Sequence, residues 1–237
     1  MTVRTERDGA VQIITLDRPA RRNAVDVPTA AGLARAFEEF ADGDARVAVL
    51  TGAGGTFCAG NDLKAMAAGD FPPPTADGPP PMAVTRTPPS KPVIAAIEGY
   101  CFGGGFELAL WCDLRVASET AEFGFLNLEH GLPSLDGGTV RLPRLIGIAR
   151  ALEIALTARR VPAREALGCG LISELTPAGE ALPAALALAA RLASLPEPAL
   201  QAARASILGQ AGRDERAALE HETALALQAI GPAPSLR

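Results

Sequence analysis

Apolar and polar positions mark out a series of short extended segments and helices along the chain. Residues 3–7 and 11–16 flank Asp8-Gly9, a turn pair suited to joining two strands. Asp26 is placed to cap a helix with Pro28 near its start and Leu33, Phe37 and Phe40 on one face, and Asp42-Gly43 ends it. Residues 47–51 and 92–97 are short apolar runs of the kind that buried strands form. Each leads into a glycine-rich loop and then a helix, the first opening near Asn61. That order predicts parallel pairing with crossovers, and ligand loops on one sheet edge.

Beyond Asp113 the pattern predicts strands through Val116 and near Phe123, then a loop over 127–139 dense in polar residues and glycine. A helix over 141–158, split near Gly147, precedes another that starts at Pro162 and a last strand over 171–175. Residues 177–228 read as Ala/Leu-rich helix, broken around Pro196 to Pro198 and Gly209 to Gly212. Apolar residues there cover more than one helix face, which predicts burial against a partner subunit. Residues 68–91 interrupt the order. Phe71-Pro72-Pro73-Pro74 and Gly78-Pro79-Pro80-Pro81 hold no regular helix, so this segment is either a flap over a site or a surface loop.

Composition narrows the class. The 237 residues suffice for one large α/β domain, and with 48% hydrophobic but only 4% aromatic residues the core is built from Ala, Leu, Val and Ile. A net charge of −5 argues against nucleic acid or an acidic membrane as partner. Four cysteines without a C-x-x-C pair, and two histidines, give no zinc-like grouping and read as reduced thiols. No basic, apolar and cleavage regions open the chain, and no apolar run has membrane-spanning length. A cytoplasmic protein is expected.

The chemistry centres on residues 97–113, Ile-Glu-Gly-Tyr-Cys-Phe-Gly-Gly-Gly-Phe-Glu-Leu-Ala-Leu-Trp-Cys-Asp. Three glycines permit close backbone approach, and the helix that follows turns free N–H groups and its positive end toward the same place. Glu107 enters that helix about one turn beyond the site. A donor for developing negative charge beside a group that carries a proton is the outline of carbonyl chemistry.

With these motifs, the chain resembles the crotonase superfamily, the enoyl-CoA hydratase and isomerase relatives. The likeness runs from Leu16-Asp17-Arg18-Pro19 and Asn23-Ala24, through 52–64 and 98–113, to Gly137-Gly138-Thr139-Val140-Arg141-Leu142. It implies an α/β fold, a spiral of ββα units over residues 1–175, followed by a helical oligomerisation region over 176–237. It also implies a homotrimer or a dimer of trimers, and acyl-CoA thioesters as substrates. No metal or separate cofactor is implied, CoA being part of the substrate.

Carried over residue by residue, the N–H groups of Asn61 and Gly104 match the family's oxyanion hole, with Phe102 and Gly103 beneath the acyl chain. Ala24, Ala59, Gly60, Asp62, Leu63 and Lys64 align with the wall along CoA. Lys64 with Arg21 or Arg22 would meet its phosphates, the alternative being solvated surface charge. Glu107 aligns with one of two catalytic glutamates. The second position, four residues before Gly131, holds Asn127, which hydrogen-bonds water but carries no proton. Asp136, in an Asp-Gly-Gly setting like that of the dihydroxynaphthoyl-CoA synthases, and Glu129 are the carboxylates that could substitute. Their plainer readings are a helix N-cap for Asp136 and a surface acid for Glu129. His130 reads as a packed or exposed imidazole. Members of the family continue past a position like 232–237 into one more helix near the adenine end of CoA, whereas the sequence here ends at Arg237, so those contacts are expected to be absent. The expected activity is hydration of a 2-enoyl-CoA. Isomerisation or C–C chemistry on one carboxylate, and a non-catalytic acyl-CoA-binding protein, are the alternatives.

Overall fold

The structure, a computed structural model, describes residues 2–230, so the 232–237 segment lies outside the described residues. Two sheets carry the strands. The larger contains β1 (Val3–Asp8), β2 (Val11–Leu16), β3 (Val47–Gly52), β4 (Val93–Ile97), β6 (Leu114–Ser118) and β9 (Glu174–Thr176), in the order β1-β2-β3-β4-β6-β9. The smaller pairs β5 (Tyr100–Phe102), β7 (Glu122–Gly124) and β8 (Val161–Pro162). Among the described residues only β1 with β2 and β7 with β8 run antiparallel, and the first pair turns through Gly9 at φ +55°.

The helices follow from the local sequence. Asp26 caps α1 (Val27–Asp42) by accepting the N–H of Thr29 at 3.0 Å, and Leu33, Phe37 and Phe40 bury one face. Asp62 caps the short α2 (Leu63–Ala67). The central helix α3 (Gly104–Trp111) is buried at every residue, so it has no polar face at all. Phe37 meets Trp111 edge-on at 4.8 Å. Then come α4 (Gly138–Ile146), α5 (Ile148–Thr157), α6 (Ala163–Gly168) and α7 (Ala181–Ser194). The chain forms two compact units that divide between Ala189 and Ala190. In the second unit α8 (Glu197–Gly209) and α9 (Glu215–Ile230) pack on each other, and both leave large apolar side chains exposed.

Three elements differ from the sequence reading. Residues 100–102, read as part of a glycine turn, form β5, so the chain steps from one sheet to the other within two residues of β4. The last strand lies at Glu174–Thr176, because Leu171 and Ile172 bury in a turn whose carbonyl, Leu171 O, accepts the buried Arg115 Nε at 2.7 Å. Helix α4 starts at Gly138, and its N-cap is Gly137 at φ 88°, with no side-chain cap; Asp136 is therefore not an N-cap.

Candidate active site

The glycine run between β5 and α3 is fixed by two different demands. Gly103 sits at φ +52°, where an L side chain is strained. Gly105 packs on β-bridge residue Cys58, and a Cβ there would lie 2.7 Å from Cys58 Cβ. Between them Gly104 begins α3, and its N–H donates to no acceptor among the described residues. A helix start with a free N–H is a site for developing negative charge.

A second free N–H comes from another loop. Asn61 forms a parallel bridge with Val25, in which Val25 N donates to Gly60 O and Asp62 N to Val25 O, each at 2.8 Å. A bridge of this kind uses the neighbours of Asn61 and leaves its own N–H unengaged. The two loops abut: a Cβ on Gly60 would lie 2.9 Å from Phe102 O and 3.2 Å from Gly104 N. Upstream, the fully buried Asn23 ties the 52–56 loop down, its Nδ2 donating to Ala53 O at 2.9 Å and Thr56 O at 2.6 Å.

Asn61 and Gly104 both line a cavity of about 760 Å³. Glu107 lines it too, and is the one Asp or Glu that does so among the described residues. Its side chain is buried, with 2% exposed, and Oε2 accepts the N–H groups of Asp136 at 3.0 Å and Gly138 at 2.6 Å. Burial lifts the Glu107 carboxyl from 4.5 to about 7; the Gly138 N–H works against this and the Asp136 charge adds to it. A carboxyl near neutrality exchanges a proton in either direction at little cost.

Arg22, Ala59, Leu63, Phe102, Gly103 and Asn127 join the same cavity, as the sequence reading expected of site residues. The Asn127 Nδ2 donates to Leu132 O at 2.8 Å, which fixes how its amide is turned. The proline-rich segment supplies much of the wall, from Phe71 to Thr75 and from Pro79 to Pro81, so it covers the cavity while residues 72–77 stay exposed on its outer side.

Other expected residues stand elsewhere. Asp136 is 2% exposed and does not line the cavity, because Oδ1 accepts the Met82 N–H at 2.9 Å and the Thr85 hydroxyl at 2.6 Å. Burial raises its pKa against those two hydrogen bonds. Glu129 is exposed, outside the cavity, on a 3-10 turn over Leu126–His130, while His130 of the same turn borders it. Both departures have one cause: the 126–138 loop faces the cavity through Asn127, and turns its carboxylates to the protein interior or to water. Asp62 is held by the α2 cap and by Arg18 Nη2 at 3.1 Å. The Ala24 carbonyl takes the other Arg18 Nη, and Gly60 serves by contact with Phe102 and Gly104. Arg21 and Lys64 are exposed and do not line the cavity.

The sequence reading passed over an aromatic and arginine cluster. Tyr100 and Phe102 stack at 5.1 Å; Arg22 lies 5.2 Å over Tyr100, and Arg160 lies 5.2 Å over Phe102. All four line the cavity. The alternation Tyr-Cys-Phe was the available signal, since period two puts the outer pair on one face once β5 is recognised as a strand. Arg160 enters from β8's turn, more than fifty residues away, and had no local sign.

Comparison with known proteins follows the same geometry. A family model described as Enoyl-CoA hydratase/isomerase matches residues 6–231. A carnitinyl-CoA dehydratase of Salmonella typhi is 42% identical over 191 residues, spanning 78% of this chain and 72% of that protein. The crystal structure of an enoyl-CoA hydratase from Mycobacterium tuberculosis superposes with a TM-score of 0.92 at 37% identity, covering 98% of this chain and 91% of that one. A carnitinyl-CoA hydratase from Mycobacterium avium gives 0.81 at 34% identity, with 98% and 91% covered. With its mixed α/β crotonase fold and a family match spanning nearly its whole length, the chain belongs to the enoyl-CoA hydratase/isomerase family.

Proposed function

We propose that this protein catalyses the reversible addition of water to a 2-enoyl-CoA thioester, with Glu107 as its one proton-carrying carboxyl. The observation that carries this reading is the meeting of Glu107, near neutrality, with the unengaged N–H groups of Asn61 and Gly104 in one cavity. The two N–H groups would donate to the thioester oxygen. The Glu107 carboxylate takes a proton from water as the water oxygen bonds to the β-carbon, and the π pair of the double bond moves into an enolate held at that oxygen. Glu107 then returns the same proton to the α-carbon, so one H and one OH are added and the carboxylate is regenerated. The reverse sequence dehydrates a 3-hydroxyacyl-CoA, and the Salmonella relative is named a dehydratase.

Arg22 and Arg160, over their aromatic pair, suit the anionic phosphates of CoA. The apolar side chains exposed on α8 and α9, among them Ile207 at 70% and Leu227 at 65%, support the 176–237 region as an oligomerisation element of a trimer or a dimer of trimers. Four free cysteines suit a cytoplasmic setting, and no helix among the described residues is long and apolar enough to cross a membrane. A single carboxyl also suits shifting a double bond, which needs one base that returns its proton one carbon away. Loss of the conjugated thioester absorbance of crotonyl-CoA measures hydration, and appearance of that absorbance from a 3-enoyl-CoA measures isomerisation. Hydration that Glu107→Gln lowers by ~10³-fold or more supports the reading. Undiminished hydration in that variant removes Glu107 from the mechanism.

A further inference from the structure

The proline-rich strap over the cavity has few ways to hold its place. Six of its prolines, at 72–74 and 79–81, have no N–H, so most of this wall cannot be fixed by backbone donors of its own. What fastens it lies just beyond, over residues 82–87. The Met82 N–H and the Thr85 hydroxyl both donate to Asp136 Oδ1, at 2.9 and 2.6 Å. Arg141 bridges the same pair, Nη1 to Asp136 O at 2.7 Å and Nη2 to Thr85 O at 2.5 Å. Trp111 Nε1 donates to Thr87 O at 2.6 Å. Met82 is wholly buried over the helix start, with Cγ and Sδ at 3.4 and 3.5 Å from where a Cβ on Gly104 would be. Asp136 therefore faces two ways, its carboxylate toward the strap and its N–H toward Glu107.

We propose that Asp136 is a positioning residue: its carboxylate seats the strap over the cavity, and the strap so seated sets which acyl chains the site accepts. Prolines make an apolar wall with little conformational freedom to lose, so such a wall discriminates by shape once its ends are fixed. The proposal rests on the CoA-thioester reading for its substrates, but not for the strap's attachment.

The test compares Asp136→Asn, Asp136→Ala and Thr85→Val in the full chain. Hydration kinetics are measured on 2-enoyl-CoA esters of about four and about ten carbons, a gap far wider than the one or two methylenes that pockets commonly distinguish. Hydrogen exchange at the Met82 amide is followed in parallel, together with emission from Trp111, the only tryptophan. An asparagine oxygen can accept both donors, so Asp136→Asn keeps the chain-length preference. Asp136→Ala leaves both donors unmet, and Thr85→Val removes one of them. Both reduce the ratio of kcat/KM between the two esters by about tenfold or more, mainly through KM, and Met82 exchange rises by roughly tenfold. If Asp136→Asn loses kcat as completely as Glu107→Gln, Asp136 is an acid in the chemistry and the proposal is overturned. It is equally overturned if the alanine and valine variants leave the ratio and the Met82 exchange where they were. Should the wild type hydrate neither ester, the functional reading and the selectivity claim fall together, and the exchange data alone decide whether Asp136 seats the strap.

Discussion

The cost of the buried acid gives a prediction with an unusual sign. Glu107 is raised from 4.5 to about 7, chiefly by burial. At roughly 1.4 kcal/mol for each pH unit, ionising it in place makes the folded state about 3 kcal/mol less stable than it would be with the acid neutral. The fold therefore binds more protons than the unfolded chain between the two values. Stability arising from this group is full below 4.5, falls as pH rises toward 7, and is gone above it. Glu107→Gln removes the titration, and its amide oxygen still accepts from Asp136 N and Gly138 N, the donors that Oε2 now engages. The variant's advantage over the wild type should be small at pH 5 and grow by about 2–3 kcal/mol by pH 8, roughly 4–12 °C in Tm. Thermal unfolding of both proteins from pH 5 to 8 measures this, with catalysis lost throughout. A stability difference that stays constant across that range, or reverses, refutes the account of a carboxyl held against its own charge.

Four other expectations follow from particular contacts. Gly105→Ala puts a Cβ against Cys58 and should cost about 2–3 kcal/mol of stability in denaturant melts, more than its change in helix propensity returns. Asn23→Ala leaves the Ala53 and Thr56 carbonyls without their donor and should cost about 2 kcal/mol, with the 52–56 amides exchanging faster. Burial pushes the Cys58 thiol up to about 12 and lifts Cys101 and Cys112 as well, so a disulfide reagent at pH 8 should titrate only Cys169 in the native protein and all four when unfolded. Asn127→Glu should not increase hydration, because a carboxylate cannot donate to Leu132 O and brings a like charge to the Glu107 cavity; a raised kcat at unchanged stability would contradict this.

Much of the sheet was legible because its causes are local. The turn at Asp8-Gly9, the cap at Asp26 and the apolar runs that became β3 and β4 each depend on a few adjacent residues. The free N–H groups at the start of α3 were legible from the glycine run itself, but the Asn61 N–H was legible only through the family likeness, since a bridge to Val25 must exist before that amide is left over. What escaped depends on distance along the chain. A three-residue strand such as β5 has too few positions to show a period, and its partner β7 lies some twenty residues on. The surroundings of Asp136 were equally hidden. A carboxylate in an Asp-Gly-Gly setting suits an acid or a cap, but Met82 and Thr85, more than fifty residues earlier, take its oxygen.

That last contact separates two jobs within one cavity. Helix α3 is buried on every side, so the Gly104 N–H and the Glu107 carboxyl, about one turn apart, cannot move relative to each other without disturbing the core. The Asn61 N–H belongs to a different loop, yet Gly60 rests against Phe102 and Gly104, which ties its distance to the same helix. The groups proposed for the chemistry are thus set by core packing. The proline-rich wall is set by a few hydrogen bonds to Asp136, Arg141 and Trp111. Hydrogen bonds at one edge are far easier to alter than a packed helix, so substitutions in the strap should change which acyl group is accepted while leaving proton transfer by Glu107 intact.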